Sequence, residues 1–289
     1  MNESLISVII PARNEAASLA ELLPALRRIQ PQAEIIVVND GSTDDTMRVC
    51  STPGIEVINH PYSMGNGAAV KSGARAARGH VLVFMDGDGQ HDPNDIPRLL
   101  EKLEEGYDMA VGARARGSQA GMYRALANNA YNKLASWMTG KMVDDLTSGF
   151  RAVRTEKFRK FLYLLPNGFS YPTTITMAFF RSAYPIAYVP IKAAKRTGAS
   201  NISLLKDGVR FFLIILKIGA LFSPMRLFLP VSLLFFLLGL SYYSYTFFMY
   251  GRLTTMSALL FTASMLTFLL GILSEQISAL HYRRNNEGE

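Results

Sequence analysis

The stretch Val81-Leu82-Val83-Phe84-Met85-Asp86-Gly87-Asp88-Gly89-Gln90 joins five apolar residues to a polar turn that carries two carboxylates. A short apolar run that ends at a glycine-rich turn is typical of a strand buried in a parallel sheet. Further apolar runs of strand length occur at 5–10, 34–38, 55–58 and 107–111. Stretches of helix length, such as 15–30 and 93–105, lie between the runs. Because strands alternate with helices, the sequence predicts an α/β domain with a mainly parallel sheet covered on both faces.

The residues that follow these strands are the first candidates for a binding site. Ligands of open α/β sheets bind outside the carboxyl ends of the strands, where the chain turns. The candidates after the first, second and fourth runs are Pro11, Arg13, Glu15, Asp40, Asp86, Asp88 and Gln90.

The carboxylates of Asp86 and Asp88 lie one residue apart, so they repel each other unless a cation lies beside them. Oxygen ligands of this kind favour Mg²⁺ or Mn²⁺, whose open coordination positions are commonly filled by substrate phosphates. An Asp-x-Asp pair can also cap a helix, but Asp92 or Asn94 could serve that purpose here. The sequence therefore predicts a divalent metal site at the end of this strand.

Other nucleotide-binding motifs are incomplete or absent. Gly65-Asn66-Gly67 resembles the start of a dinucleotide fingerprint, but Val70 occupies the place of the third glycine, and no phosphate-binding Gly-x-x-x-x-Gly-Lys-Ser/Thr loop exists. The net charge of +7 does not indicate nucleic-acid binding, since no basic stripe with interleaved aromatics occurs. The single cysteine, Cys50, excludes an internal disulfide and predicts a reducing compartment, the cytoplasm.

The C-terminal part of the chain has a different composition. Residues 227–251 and 253–274 carry no charged side chain, and each stretch is long enough for a helix to cross a bilayer. Basic residues lie outside the two stretches at Lys217, Arg226, Arg283 and Arg284, against Arg252 alone between them. The sequence predicts a transmembrane helical hairpin, and the positive-inside rule places both its ends in the cytoplasm.

An amphipathic helix is predicted before the hairpin. Apolar residues recur at steps of three and four from Ile202 to Leu216, while Lys206, Arg210 and Lys217 fall on another face. Such a helix either lies on the lipid headgroups or packs on the soluble domain. The predicted organisation is a catalytic domain at 1–199, the amphipathic helix at 200–224, the hairpin at 225–282 and a cytoplasmic tail at 283–289.

Four motifs together carry a resemblance to a known family. They are VIIPARNE at 8–15, VVNDGSTD at 37–44, DGDGQH at 86–91 and DLTSGFR at 145–151. In these motifs the chain resembles family 2 glycosyltransferases, and among them the dolichyl- and polyprenyl-phosphate sugar synthases. The resemblance covers about the first 200 residues, and the hairpin is similar to the two-helix anchor of bacterial members.

The resemblance implies a GT-A fold and a donor that is a UDP- or GDP-sugar. Pro11, Glu15 and Asp40 would line the pocket for the donor's base and ribose, and Arg13 and Asp86 would also bind the donor nucleotide. The metal, Mg²⁺ or Mn²⁺, would bind the diphosphate with the help of Asp86, Asp88 and Gln90.

The resemblance also implies an inverting transfer to a polyprenyl phosphate of the undecaprenyl type at the cytoplasmic side of the inner membrane. Asp88 would be catalytic through its metal, and Asp145 would be catalytic or would orient the acceptor, although its neighbour Asp144 could act instead. Arginines suit the acceptor phosphate because they bind phosphate in bidentate fashion. Arg114 and Arg196 are the preferred candidates over Arg151.

The chain departs from the family pattern at two positions. Asn201 stands where lysine is usual, and Asn129 stands where many relatives carry arginine. Both departures affect the acceptor half of the site. Two alternative functions therefore stay open: a glycosyltransferase to another lipid acceptor, and an inactive membrane-tethered protein that binds nucleotide sugars. By analogy with related membrane enzymes, a homo-oligomer is a further expectation for this chain.

Overall fold

The computed structural model describes residues 6–114, 122–168, 170–192, 213, 216, 219–220 and 223–286. The chain forms two compact units, Met1–Ser136 with Lys141–Phe211 and Trp137–Gly140 with Phe212–Glu289. Arg196, Asn201 and most of the predicted amphipathic helix lie outside the described residues.

The first unit contains a twisted layer of strands flanked by helices. Its strands are β1 (Ile6–Ala12), β2 (Glu34–Asn39), β3 (Ile55–Asn59), β4 (Val81–Phe84), β5 (Met109–Arg114), β6 (Arg151–Arg154) and β7 (Ile186–Ile191). In the described part of the chain they form a seven-stranded sheet with the order β3-β2-β1-β4-β6-β5-β7. Only β6 runs antiparallel to its neighbours, β4 and β5, so the predicted mainly parallel α/β sheet is confirmed.

Helices fill the connections between these strands. They are α1 (Ala16–Ile29), α2 (Thr46–Cys50), α3 (Asn66–Ala76), α4 (Ile96–Glu104), α5 (Met122–Thr139), α6 (Thr155–Arg159) and α7 (Tyr171–Arg181), with a 3-10 turn at Pro93–Asp95. The end of α5, from Trp137, belongs to the second unit. Helix α1 buries Leu19, Leu22, Leu23 and Leu26 on one face because these leucines recur at the helical period. Successive residues of β1 such as Val8 and Ile9 are both fully buried, as expected for a strand covered on both faces.

The structure differs from the sequence prediction in where one strand starts and in how many strands the sheet contains. The strand of the fifth run begins at Met109, and Asp108 before it is paired with Lys157, whose Nζ donates to both carboxylate oxygens at 2.9 Å. Strand β7 was not among the predicted runs. Strand β6 was not predicted either, since its ends are Arg151 and Arg154 and it has no long apolar run. Its burial is a property of the assembled sheet.

The second unit contains a hairpin of two long apolar helices, α8 (Pro224–Tyr250) and α9 (Thr255–Asn286). Both are long and apolar enough to cross a membrane, and most of their large apolar side chains are exposed rather than packed inside protein. The left-handed residue Gly251 ends α8 and starts the turn. Ser232 and Ser264 bridge the helices, each hydroxyl donating to the other residue's carbonyl at 2.9 Å. The predicted helical hairpin is confirmed.

Candidate active site

The predicted metal-binding carboxylates lie directly after β4. Asp86 and Asp88 are half-buried, and Asp88 Oδ1 accepts the backbone N–H of Gln90 at 3.2 Å, which fixes the turn. The helix-capping role falls to Asp92, whose carboxylate accepts the N–H of Asn94 at 2.9 Å. Asp86 and Asp88 are thus not needed as caps for the following helix.

The surroundings of Asp86 fit a cation. Among the described residues no donor hydrogen-bonds its carboxylate, so the charge is not neutralised by a hydrogen-bond partner. Gly149 lies against it: a Cβ atom at that position would be 2.6 Å from Asp86 Oδ2. The residues that the structure describes contain no cluster of three or more His, Cys, Asp or Glu side chains suited to a metal. Two carboxylates are nevertheless the usual protein share for Mg²⁺, since substrate phosphates and water complete its coordination.

Arg114 and Asp145 form a buried ion pair at the end of β5. Arg114 Nε lies 2.8 Å from Asp145 Oδ2, and Nη2 lies 3.0 Å from Oδ1, so the contact is bidentate. Nη2 also donates to Thr147 Oγ1 at 2.6 Å. The charge of Asp86 acts on Arg114 as well. The structure therefore brings together three residues, distant in the sequence, that the sequence singled out.

The electrostatics of Asp145 follow from this pairing. Burial by itself raises the pKa of the carboxyl, but the hydrogen bonds and charge of Arg114, together with the Thr147 N–H, outweigh burial and lower the pKa. The amides of Thr147 and Ser148 each donate to Oδ1 at 3.1 Å. Asp145 is 4% exposed, whereas Asp144 is exposed and contributes its carbonyl oxygen to Asn132. These bonds hold Asp145 in place as a carboxylate whose ionised form is favoured.

Arg151, a candidate for the acceptor phosphate in the sequence, lies inside the protein in the structure. It is 0% exposed, and its Nη1 donates to the Pro172 carbonyl oxygen at 3.3 Å and to Thr176 Oγ1 at 3.2 Å. Its guanidinium also lies 5.7 Å from the centre of the Tyr171 ring. These contacts tie β6 to α7, and they leave Arg151 inaccessible to a phosphate at the surface.

Asp40 lies at the end of β2 and is nearly enclosed. Its carboxylate accepts four hydrogen bonds, from His60 Nδ1 at 2.7 Å, Ser63 Oγ at 2.8 Å, Met64 N at 2.8 Å and Gly65 N at 2.9 Å. Burial raises the pKa of Asp40, but these bonds lower it further than burial raises it. Asp40 thus holds the loop 62–65 in one conformation.

His60 is a residue of this site that the sequence reasoning missed. Its second ring nitrogen, Nε2, lies 2.9 Å from Ser72 Oγ on α3, so the imidazole bridges Asp40 and that helix. The signal was present, because His60 follows β3 at the same edge of the sheet as the other candidates.

The remaining donor-side candidates lie beside Asp40. Pro11 is buried in β1, Arg13 is exposed and Glu15 is half-buried just before α1. The motifs at 8–15 and 37–44 are linked by the Asp40 N–H, which donates to the Ala12 carbonyl oxygen at 2.9 Å. The Glu15 N–H donates to Oγ1 of Thr46, just after the second motif, at 3.0 Å.

Comparison with known proteins agrees with this geometry. Residues 7–162 match the model of the family described as Glycosyl transferase family 2, and residues 223–280 match the GtrB C-terminal hairpin. The polyprenol monophosphomannose synthase of Mycolicibacterium smegmatis is 30% identical over 212 residues, which are 68% of this chain and 80% of that protein.

A second relative is the undecaprenyl-phosphate 4-deoxy-4-formamido-L-arabinose transferase of Klebsiella pneumoniae, 34% identical over 52% of this chain. The match spans about half, 48%, of that relative's length. A similar solved structure is glucosyl-3-phosphoglycerate synthase of Mycobacterium tuberculosis in complex with Mn²⁺, UDP and glucosyl-3-phosphoglycerate, with a TM-score of 0.59 and 25% identity over 74% of this chain and 78% of that chain. Because the family match covers more than half of its residues, this chain belongs to glycosyl transferase family 2.

Proposed function

We propose that this enzyme transfers a sugar from a UDP- or GDP-sugar to the phosphate of a polyprenyl phosphate at the cytoplasmic face of the membrane. The observation that carries the proposal is the cluster of Asp86, Asp88 and the Arg114–Asp145 pair in a chain that ends in an apolar hairpin. Relatives named for undecaprenyl-phosphate and polyprenol-phosphate products support the choice of acceptor.

The donor side would use the ends of β1, β2 and β4. Pro11, Arg13 and Glu15 would line the nucleoside pocket, while Asp40 would act by holding the loop 62–65 as a wall of that pocket. Asp86 and Asp88, with Gln90 beside them, would hold Mg²⁺ or Mn²⁺, which stabilises the negative charge that grows on the leaving diphosphate. A solved relative of the same fold that contains Mn²⁺ and UDP supports this donor class.

The acceptor side would use the cation of Arg114. Its Nη1 group makes no hydrogen bond to the described residues, so it is the part of the guanidinium that would meet a phosphate oxygen. Asp145 would orient that guanidinium. Arg196, outside the described residues, is the second phosphate-binding candidate.

The reaction needs little base catalysis from the protein. A phosphate monoester has a second pKa of about 6, so its attacking oxygen is largely ionised at neutral pH. In an inverting displacement that oxygen forms a bond to the anomeric carbon while the bond from that carbon to the diphosphate oxygen breaks. The nucleoside diphosphate leaves with the electron pair. An Asp145 with a lowered pKa is consistent with a role in orientation rather than in proton transfer.

The test is to incubate the full-length protein in nanodiscs with undecaprenyl phosphate or, in a parallel reaction, diacylglycerol. A panel of UDP- and GDP-sugars is supplied as donors, with and without chelator. We expect an organic-soluble glycolipid from one donor, lost with chelator and restored by Mn²⁺ or Mg²⁺. Absence of glycolipid from every donor, or undiminished product with chelator, would overturn the proposal. Product on diacylglycerol alone would indicate the other lipid acceptor, and donor binding without turnover would indicate an inactive binder.

A matched pair of variants makes the test specific. Asp88→Ala should abolish transfer, whereas Asp92→Asn removes a charge four residues away, retains the capping oxygen and should leave transfer intact. Orientation is tested separately by reporter fusions at the two termini, which should both report the cytoplasm. A periplasmic signal from either terminus would reject the orientation.

A further inference from the structure

We propose that the C-terminal end of α5 lies in the headgroup layer of an anionic bilayer, with the Trp137 side chain inserted among the lipids. The inference rests on the membrane assignment of the hairpin and adds a second protein surface that touches the lipid. The partner is the bilayer itself rather than another protein.

The first observation is a pair of hydrogen bonds within the second unit. Arg226 Nη1 donates to the Trp137 carbonyl oxygen at 2.8 Å and to the Met138 carbonyl oxygen at 3.0 Å. These carbonyls belong to the last turn of α5, where a cation also complements the helix dipole. Gly140, in the left-handed region with φ 71°, leaves room for the guanidinium, since a Cβ there would lie 3.2 Å from Nη1.

The second observation fixes the depth of this contact. Arg226 is the last charged residue before the uncharged stretch 227–251 of α8. A guanidinium in the hydrocarbon core is costly, so an arginine at the start of a span lies at headgroup level. Because the carbonyl oxygens of Trp137 and Met138 are within hydrogen-bond distance of that guanidinium, the end of α5 must lie at the same level.

The third observation is that neighbouring side chains at this end of α5 differ in exposure. Met138 is 1% exposed and lies against Gly219 within the second unit, whereas Trp137 is 47% exposed. Tryptophan is enriched at membrane interfaces because its ring is apolar and its indole N–H needs a polar partner.

The fourth observation is charge. Lys133 and Lys141 are both exposed and lie four residues before and after Trp137. Residues four apart in a helix share a face, so Lys133 lies on the face of Trp137, and Lys141 follows the helix end at Gly140. Lysines beside an interfacial tryptophan complement the negative surface of anionic lipids.

The experiment uses the natural chain, because Trp137 is its only tryptophan. The full-length protein is reconstituted in liposomes of phosphatidylcholine and phosphatidylglycerol, with bromine placed on the acyl chains either near the carbonyl or near the terminal methyl. We expect blue-shifted Trp137 emission that loses most of its intensity to bromine near the carbonyl and less to bromine near the methyl. Aqueous iodide should quench it weakly.

A depth control separates the outcomes. In Trp137→Phe/Leu237→Trp the tryptophan lies in the middle of α8, and bromine near the methyl should quench it most. If this control is quenched while Trp137 responds only to iodide, the inference is wrong and the membrane assignment stands. If the protein fails to float with the liposomes, both the inference and the membrane location in the proposed function are wrong.

Discussion

Asp145 holds Arg114 through both carboxylate oxygens, at 2.8 Å from Nε and 3.0 Å from Nη2. Arg114 ends β5, whereas Asp145 begins the motif at 145–151, and the sequence suggested a separate role for each. Their pairing makes the carboxylate a support for the guanidinium. A phosphate acceptor would then meet an arginine whose direction is already set, which reduces the entropy lost on binding.

The first prediction concerns this pair. Asp145→Asn should lower the free energy of unfolding by about 3 kcal/mol or more, because it leaves a largely buried guanidinium without its charge partner. Arg114→Gln combined with Asp145→Asn should cost less than the sum of the single variants. Urea unfolding of the full chain in detergent measures this cycle, and additive losses would contradict the pairing.

The second prediction concerns the space beside Asp86. Gly149→Ala places a Cβ atom 2.6 Å from Asp86 Oδ2, so the carboxylate must move. We expect the Mn²⁺ concentration needed for half-maximal transfer to rise about tenfold or more, which corresponds to a loss of about 1.4 kcal/mol in metal binding. Gly168→Ala is the matched control, because a Cβ there meets nothing within 4 Å. An unchanged metal titration in the Gly149 variant would exclude Asp86 as a ligand.

The third prediction tests whether Asp40 holds the wall of the donor pocket or contacts the donor directly. In Asp40→Asn the amide NH₂ replaces one carboxylate oxygen and faces the backbone N–H donor of that oxygen, Met64 on Oδ1 or Gly65 on Oδ2, so the loop 62–65 should loosen. His60→Gln should have a weaker effect of the same kind, because it keeps the carboxylate and its other three bonds. We expect both variants to raise the KM for the nucleotide sugar and to speed proteolysis of the loop. A higher KM without faster cleavage would favour direct contact of Asp40 with the donor.

The fourth prediction concerns acid. The pKa values of Asp40 and Asp145 are both lowered in the folded protein, so the unfolded chain binds protons first as the pH falls. Their stabilisation is complete above the unfolded-state pKa, near 3.8, and is lost as the pH falls through the folded-state pKa. The stability difference between the natural chain and Asp145→Asn should stay constant from about pH 7 to pH 5 and shrink below that range. A difference that grew on acidification would reverse the assigned direction.

The fifth prediction concerns the hairpin. Ser232→Ala removes one of the two reciprocal bonds to Ser264 and should destabilise the helix pair by about 0.6 kcal/mol, the usual size for such bonds in a bilayer. Ser244→Ala is the control, because among the described residues that hydroxyl bonds only to the Leu240 carbonyl oxygen of its own helix. Unfolding in mixed micelles with increasing sodium dodecyl sulfate should distinguish the two. Equal stability of both variants would argue against a contribution from the interhelical bonds.

Much of the architecture followed from the sequence, because the signals involved are local. An apolar run such as 81–85 predicts a strand that is buried on both faces. The length of the uncharged stretch 227–251 is sufficient for a helix to cross a bilayer. The same reasoning placed Asp86 and Asp88 at a strand end and gave the capping role to the residues just after them, where the structure has Asp92.

Tertiary structure alone decided the partners of Arg114, Asp145 and Arg151. Asp145 and Arg114 are 31 residues apart and meet only because β6 inserts antiparallel between β4 and β5. Arg151 reads as a surface cation in the sequence, yet the packing of α7 on β6 encloses it. Hydrophobic burial depends on the type and period of residues along the chain, whereas the pairing of charges depends on which strands become neighbours, and no local pattern specifies that.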